Sequence, residues 1–177
     1  MSIKLKIFFL IFFSINGLTM VIDNLDNTRG RWDAISDNVM GGISIVNFYE
    51  VEEGDDRFYR LAGTVSTKNR GGFIQSRVRI TESAEDLTGI RVKVRGISDG
   101  YYLWVNTSQG RLPWDRYSIL LDVSEEWSVL EIPFSNFKKS NFYMPRKMNQ
   151  STIRSIAFAA YGKDFEAQLD IALLEFY

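Results

Sequence analysis

The sequence contains no cysteine and no histidine, and these two absences exclude more chemistry than any motif adds. Without cysteine the chain can form no disulfide, no thiolate nucleophile and no lipid-modified cysteine anchor. Without histidine it lacks the usual nitrogen ligand of zinc sites and the base of a Ser/His/Asp triad. Only carboxylates, lysine, tyrosine and hydroxyl groups remain for acid–base work. We therefore predict a protein with no catalytic residues, no cofactor and no metal.

An excess of charge is also lacking, because 21 lysines and arginines face 22 aspartates and glutamates. Such a balance provides no overall basic field to hold a phosphate backbone, so nucleic acid is excluded as a partner. Apolar residues make up 45% of the 177 residues, and aromatics make up 14%. A chain of this length and composition is expected to fold as one globular domain with its own core.

The first twenty residues differ in composition from the rest of the chain. Lys4 and Lys6 precede an unbroken apolar run from Ile7 to Phe13, a layout typical of a signal peptide. The run is shorter than the roughly 20 apolar residues that span a bilayer, although Leu18 to Ile22 could lengthen it. We expect residues 1–20 to be a signal peptide or an uncleaved N-terminal anchor.

That segment predicts where the remaining chain resides. Residues 21–177 are expected to form the folded domain, either exported to the periplasm or tethered to the inner membrane through the N-terminal segment. Association with a membrane is thus predicted through the leader.

Beyond the leader, short alternating apolar segments separated by turn residues dominate the sequence, which is the period of half-buried strands. Ile90, Val92 and Val94 alternate without a fault with charged residues. Further candidate strands are Tyr59 to Val65, Phe73 to Ile80, Tyr101 to Val105, Tyr117 to Val123, Trp127 to Ile132, Ile156 to Tyr161 and Phe165 to Leu173. Strands recurring about every ten residues predict an all-β, antiparallel jelly-roll β-sandwich. Helix is confined to short turns near residues 134–137 and 149–153.

Two glycine pairs stand near the start of the domain, Gly41–Gly42 after Met40 and Gly71–Gly72 before Phe73. Paired glycines indicate a backbone segment that needs a positive φ or that lies too close to neighbouring atoms for a side chain. Taken alone, both pairs are best interpreted as turns or bulges that hold strand register.

An ordered set of residues around these pairs resembles the complex I intermediate-associated protein family over roughly residues 25–177. The residues that carry the resemblance begin with Trp32, Asp37, Val39, Met40, Gly41, Gly42, Ser44, Gly63, Gly71, Gly72 and Phe73. Later members are Val94, Arg95, Gly96, Asp99, Gly100, Tyr101, Trp127, Ile132, Pro133, Phe134, Phe165, Leu169, Ile171 and Phe176.

The resemblance implies a galactose-binding-like sandwich and a chaperone-like role in assembling NADH:ubiquinone oxidoreductase. Its expected partners are respiratory complex subunits or assembly intermediates, and it carries over no catalytic residues. An exported domain would lie opposite the matrix or cytoplasmic arm of that complex. The residues predicted to contact a protein partner are Trp32, Asp37, Met40, Gly41, Gly42, Ser44, Gly71, Gly72, Phe73 and Arg77.

A second constellation favours carbohydrate binding as an alternative function. Tyr102 and Trp104 alternate on one face of a single predicted strand, opposite Tyr101, and Trp114 and Arg116 follow closely. Aromatic side chains beside polar groups on an open sheet face could stack against a sugar ring. In the competing interpretation Trp104 packs inside the sandwich and Tyr101 faces water.

Two further patterns have ordinary explanations. Residues 138–147 mix four positive charges with aromatic side chains and could meet an anionic lipid or a partner, although most such runs are solvated loops. Paired carboxylates could serve a glycosidase only if two of them faced one cleft. Most carboxylates here fall at predicted turns, whereas Asp122 and Asp170 lie inside strand patterns. A carboxylate-dependent hydrolase ranks third among the functional hypotheses.

Overall fold

A computed structural model describes residues 18–97 and 99–177, so most of the predicted leader, residues 1–17, lies outside the described residues. Sheet 1 contains β1 (Met20–Asp23), β3 (Ile45–Glu53), β4 (Asp56–Val65), β6 (Gly89–Gly96), β9 (Ser128–Pro133) and β12 (Phe165–Phe176). Sheet 2 contains β2 (Trp32–Ser36), β5 (Phe73–Arg79), β7 (Tyr101–Thr107), β8 (Tyr117–Leu120), β10 (Lys138–Lys139) and β11 (Ile153–Tyr161).

All strand pairings among the described residues are antiparallel, which confirms the predicted jelly-roll β-sandwich. Sheet 1 has the order β3-β4-β12-β6-β9, with β1 paired to the end of β12, and sheet 2 has the order β10-β8-β7-β11-β5-β2. Helical structure in the described part is limited to four short 3-10 turns at Asp37–Met40, Lys68–Arg70, Phe134–Asn136 and Gln150–Thr152. None of these turns is long and apolar enough to cross a membrane.

The core lies between the two sheets and is built by the alternation seen in the sequence. Ile90, Val92 and Val94 of β6 point inward and are fully buried, while the charged residues between them point outward. Burying each such side chain contributes about 1.5–3 kcal/mol, so strand register is strongly specified wherever one face is apolar.

Strand β1 begins close to the end of the predicted leader. Ile22 is fully buried in the core, and Met20 and Val21 pair with Phe176 and Glu175 of β12. Residues 20–23 thus form a strand of the folded domain. The expected boundary after residue 20 falls one residue inside β1.

The two ends of the sandwich carry different loops. At one end, β2 and β4 finish and β3 and β5 begin; we name it the Asp37 end after a residue in its β2–β3 loop. At the other, β5 and β7 finish and β6 and β11 begin; we name it the Asp115 end after a residue in the loop that follows β7. The described chain starts at the Asp115 end, because Met20 pairs with Phe176 and Tyr177 hydrogen-bonds Gly89 at the start of β6.

Candidate functional site

The loop between β2 and β3 carries the most distinctive sequence of the chain, and a buried carboxylate holds it. Asp37 is fully buried, and its Oδ1 accepts a hydrogen bond from the backbone N–H of Ser44 at 2.9 Å. Its Oδ2 accepts from the Ser44 hydroxyl at 2.5 Å, from the Gly72 N–H at 2.5 Å and from the Phe73 N–H at 3.2 Å. One side chain therefore joins the β2–β3 loop to the β4–β5 loop.

The balance of these contacts keeps Asp37 ionised. Burial by itself would raise the pKa of this carboxyl, but hydrogen bonds from the Ser44 hydroxyl and from the N–H groups of Gly72, Ser44 and Phe73 outweigh it. The net pKa lies below its ordinary value. A charged acceptor surrounded by donors is among the stronger hydrogen-bonded arrangements in proteins.

We name the hydrogen bonds of Asp37 to the two loops the Asp37 brace, and both glycine pairs make room for it. A Cβ at Gly42 or at Gly71 would overlap the Asp37 carboxylate, and Gly41 ends the 3-10 turn with a φ of 87°. The interpretation of the pairs as turns that hold register is confirmed, with the added finding that both pairs close around one carboxylate.

The braced loop presents four apolar side chains to solvent. Val39 is 72% exposed, Met40 60%, Ile43 48% and Ile45 60%. We name these four residues the apolar loop. Exposed apolar side chains clustered on a well-held loop are typical of a protein contact surface.

The residues predicted to contact a partner thus separate into four groups, of which Met40 forms one by itself. Asp37 and Ser44 are fully buried, so together with the glycines they hold the loop in place and do not contact solvent or a partner themselves. Trp32 packs inside the sandwich, and its indole Nε1 donates to Asp23 at 2.7 Å. Phe73 and Arg77 lie on the outer face of sheet 2.

Of the predicted contact residues, Met40 alone belongs to the apolar loop. Sequence reasoning missed Val39, Ile43 and Ile45 as surface residues. One signal in the sequence could have indicated them: apolar residues continue through a glycine-rich turn, where polar side chains exposed to solvent are usual.

The outer face of sheet 2 carries an aromatic cluster. Tyr101 of β7 is fully buried in the core, whereas Tyr102 and Trp104 lie on the opposite face with Ala157 and Ala159 of β11. The interpretation that placed Trp104 inside the sandwich and Tyr101 in water is wrong. The core needs Tyr101, whose hydroxyl is satisfied by the Gln168 carbonyl at 2.9 Å.

Trp104 is nevertheless only 5% exposed, because other side chains cover it. The Arg116 guanidinium lies 3.8 Å from the centre of its ring, and Tyr161 and Phe73 flank it with centroids at 5.5 and 6.0 Å. Such a stack places a cation over the indole face. Tyr161, 41% exposed, is the ring of this cluster that a ligand could reach most directly.

The electrostatics of Arg116 are unusual for a surface arginine. Burial lowers the pKa of its guanidinium, and its Nη1 donates to the Trp114 carbonyl at 3.1 Å. Among residues 18–97 and 99–177, no carboxylate lies within ion-pair distance of it. The stacked guanidinium thus keeps donors available to a polar ligand.

A groove of about 330 Å³ adjoins this cluster. It is lined by Tyr102, Ser118, Ile119, Leu120, Asn136 and Lys138, with no carboxylate among them. Trp114 lies outside this groove and is 56% exposed in the β7–β8 loop. The structure therefore groups Tyr102, Trp104 and Arg116 of the predicted glycan residues and places Trp114 at the neighbouring loop.

Asp170, one of the two carboxylates singled out inside strand patterns, has structural partners, and so do two acidic residues near the start of β12. Asp170 accepts hydrogen bonds from Arg60 at 2.6 and 2.8 Å and from Arg95 at 2.8 Å. Asp164 accepts from the Thr67 N–H, and Glu166 accepts from the Thr64 hydroxyl. Asp122 is exposed. In the part of the chain that the structure describes, no three acidic side chains group as metal ligands.

Comparison with known proteins gives two findings, of which the first concerns sequence. A family model described as Complex I intermediate-associated protein 30 matches residues 23–171, most of the chain.

The second finding concerns solved structures and shows the fold. The family 11 carbohydrate-binding module of a cellulosomal cellulase of Clostridium thermocellum matches with a TM-score of 0.71 at 15% identity, over 89% of this chain and 93% of that one. The same family 11 module in complex with a β-1,3-1,4-mixed-linked tetrasaccharide matches with a TM-score of 0.71 at 15% identity, over 89% and 94%. A family 30 module from a C. thermocellum cellulosomal cellulase matches with a TM-score of 0.64 at 10% identity, over 90% and 97%. At such identities the likeness is one of architecture.

Proposed function

The chain belongs to the complex I intermediate-associated protein 30 family, and from this membership we propose that it is a non-catalytic, chaperone-like assembly factor. In this role it binds subunits or assembly intermediates of a respiratory complex. The family match over residues 23–171 is the observation that carries the proposal.

The apolar loop supports the proposal as a contact surface. Four exposed apolar side chains within seven residues would lose water on contact with a partner, which favours association. Because the Asp37 brace already orders the loop, binding would cost little conformational entropy. Assembly intermediates in turn expose apolar surface that later subunits cover.

The test is capture from native membranes with a tagged full-length chain. We expect respiratory-complex subunits to be enriched, and we expect Val39→Ser with Met40→Ser to lower their recovery at least tenfold, as loss of a hot spot would. Val129→Ser, at an apolar side chain of β9 that is 56% exposed, is the matched control and should leave recovery unchanged. Enrichment of no respiratory subunit by the correctly located wild-type chain would remove the proposal.

The location of the protein is part of the same proposal. We expect a domain exported to the periplasm or tethered to the inner membrane through residues 1–20. N-terminal sequencing of the native protein with membrane fractionation tests this. A mature N-terminus at or close to residue 21 would indicate cleavage, and an intact leader in the membrane fraction would indicate an anchor. An intact chain in the cytosol would contradict both.

Carbohydrate binding is the second candidate, and the aromatic face of sheet 2 favours it. That face combines an exposed ring at Tyr161, the stacked Arg116 and the groove beside Tyr102. A sugar could stack on the ring while the guanidinium donates to its hydroxyls.

A glycan array tests the second candidate. If it holds, Tyr161→Ala and Arg116→Ala should abolish binding, and Tyr49→Ala on β3 should not, although Tyr49 is also exposed. Trp104→Ala should weaken binding indirectly, since Trp104 supports Arg116 from below. If the array gives no hits and respiratory subunits are captured, the assembly role remains and carbohydrate binding is rejected.

A further inference from the structure

The loop after β7 and the segment after β10 form a second surface at the Asp115 end. Asp115 is buried, and its Oδ2 accepts hydrogen bonds from the N–H groups of Arg111 at 2.8 Å and Leu112 at 2.9 Å. The Tyr143 hydroxyl donates to the same carboxylate at 2.6 Å, and Asn141 donates through its Nδ2. The carboxylate thus draws two loops that are 26 to 28 residues apart in sequence into one unit.

This unit exposes three large apolar side chains. Phe142 is 88% exposed, Trp114 56% and Leu112 43%. Trp114 and Phe142 directly neighbour residues that meet at the Asp115 carboxylate, so both belong to the unit that this carboxylate holds together. Tryptophan and phenylalanine on loop tips favour the interface between water and lipid.

The same unit is strongly basic in a chain of net charge −1. Arg111, Lys138, Arg146 and Lys147 make no ion pair within the described part of the chain. The only acidic residue in 108–117 and 138–149 is Asp115, which is buried. Unpaired cations around exposed apolar side chains are complementary to an anionic lipid surface.

The charge across this end is also separated laterally. The β3–β4 hairpin is acidic and lies at the β3 edge of sheet 1; its acidic residues are Glu50, Glu52, Glu53, Asp55 and Asp56. The two loops held by Asp115, which we name the basic unit, lie beside β8 and β10, at the opposite side of the sandwich. An anionic surface would therefore attract one side of this end and set the orientation of the domain.

The entry of the chain agrees with that orientation. Leu18 is exposed and leads into β1 at the same Asp115 end. A segment predicted to target or anchor the chain in a membrane thus joins the domain at the end that carries the basic unit. A single weak anchor and a polybasic surface reinforce one another in membrane binding.

From these observations we infer that Leu112, Trp114 and Phe142, with the basic residues around them, form a binding site for anionic phospholipid surfaces. The rings insert at the headgroup level and the cations contact lipid phosphates. This site lies at the end opposite the apolar loop, so one end of the domain meets lipid while the other remains open to a protein partner.

The test is flotation of the full-length chain with vesicles of phosphatidylcholine alone and of phosphatidylcholine mixed with phosphatidylglycerol. The readout is the ratio of the two partition coefficients, which cancels any charge-independent binding by the leader. The wild-type ratio should be well above one and should fall with added salt. Because each basic residue near such a surface contributes about fivefold, Lys138→Gln, Arg146→Gln and Lys147→Gln together should lower it on the order of 100-fold.

Matched controls separate the site from overall charge. Lys68→Gln, Arg70→Gln and Lys163→Gln remove the same charge at the Asp37 end and should leave the ratio close to wild type. Trp114→Ala with Phe142→Ala should weaken binding to the anionic vesicles at least tenfold, whereas Tyr49→Ala should not. Near-ultraviolet circular dichroism verifies that each variant keeps its fold.

Two outcomes would overturn the inference. The first is a wild-type ratio of one, and the second is an equal loss in the control triple variant. If the ratio is one and the variants at Trp114, Phe142 and the three basic residues also lose respiratory subunits, the surface belongs to a protein partner. The proposed assembly role is read by subunit capture and can fail or hold independently of the vesicle result.

Discussion

At the scale of single residues, two buried carboxylates organise the loops at the two ends of the sandwich. Asp37 and Asp115 are both surrounded by backbone N–H and hydroxyl donors, and each joins segments that are distant in sequence. In both cases burial by itself would raise the pKa and the hydrogen bonds outweigh it, which leaves Asp115 with a pKa of about 2. Each charge therefore stabilises a loop conformation.

Asp37→Asn tests this role at one end. The amide keeps the shape but turns donors toward the N–H groups of Gly72 and Phe73, so the free energy of unfolding should fall by about 3 kcal/mol. Urea denaturation of purified protein measures the change. Asp33→Asn is the control, because that partly exposed side chain stands 3.7 Å from Arg77 and the substitution should cost less than about 0.5 kcal/mol. Equal losses in the two variants would contradict the brace.

At the scale of elements, the outer faces of the two sheets differ in chemistry. On sheet 1, Asp170 of β12 bridges Arg60 of β4 and Arg95 of β6, and Arg95 also lies 4.8 Å from the Trp127 ring centre. On sheet 2, the equivalent outward positions hold aromatic rings capped by Arg116. The outer face of sheet 1 is thus occupied by its own ion pairs, whereas the outer face of sheet 2 carries an aromatic cluster.

Asp170→Ala should destabilise sheet 1 strongly. It would leave two half-buried arginines without their shared acceptor, which costs about 3 kcal/mol or more. Thermal and urea unfolding both measure this loss of stability. In contrast, Glu131→Ala removes an exposed partner of Arg91 and should cost less than about 1 kcal/mol. A small effect at Asp170 would show that these strands are held by the core alone.

At the scale of the whole molecule, the sandwich separates four surfaces: two loop ends and two outer faces. The apolar loop occupies one end, the basic unit the other, the ion pairs one face and the aromatic cluster the opposite face. A fold with short loops on a rigid core can carry several contacts at once, as an assembly factor near a membrane would need.

Stability of the whole domain should fall in acid because of Asp37 and Asp115. Both folded pKa values lie below the unfolded value of about 3.9, so the unfolded state binds more protons and stability declines as the pH falls from about 4 toward 2. Urea unfolding across this window measures the slope.

Variants at Asp115 separate its share of the acid sensitivity. Asp115→Asn should have a shallower pH dependence than the wild type, because the amide does not titrate. Tyr143→Phe removes one donor to the carboxylate and should give an intermediate slope. Identical slopes in all three proteins would contradict a role for Asp115.

The sequence by itself determined the sandwich, most of its strands and the family, because a period of two over many segments specifies which side chains are buried. The inward set of β6 and the short turns near residues 134 and 150 follow directly from that pattern. Strand β2 was not predicted, since Trp32 to Ser36 lacks a clean alternation, and β8 ends at Leu120, before the predicted Val123.

Only the tertiary structure decided which residues form surfaces. Asp37 and Gly71 lie 34 positions apart, and Asp115 and Asn141 lie 26 apart, yet each pair meets because strand pairing brings their loops together. Local sequence records the type of each side chain but not its distant neighbours. The burial of Asp37, the exposure of Val39 and the cover of Trp104 by Arg116 all depend on contacts between strands remote in the chain, and no local pattern encodes those contacts.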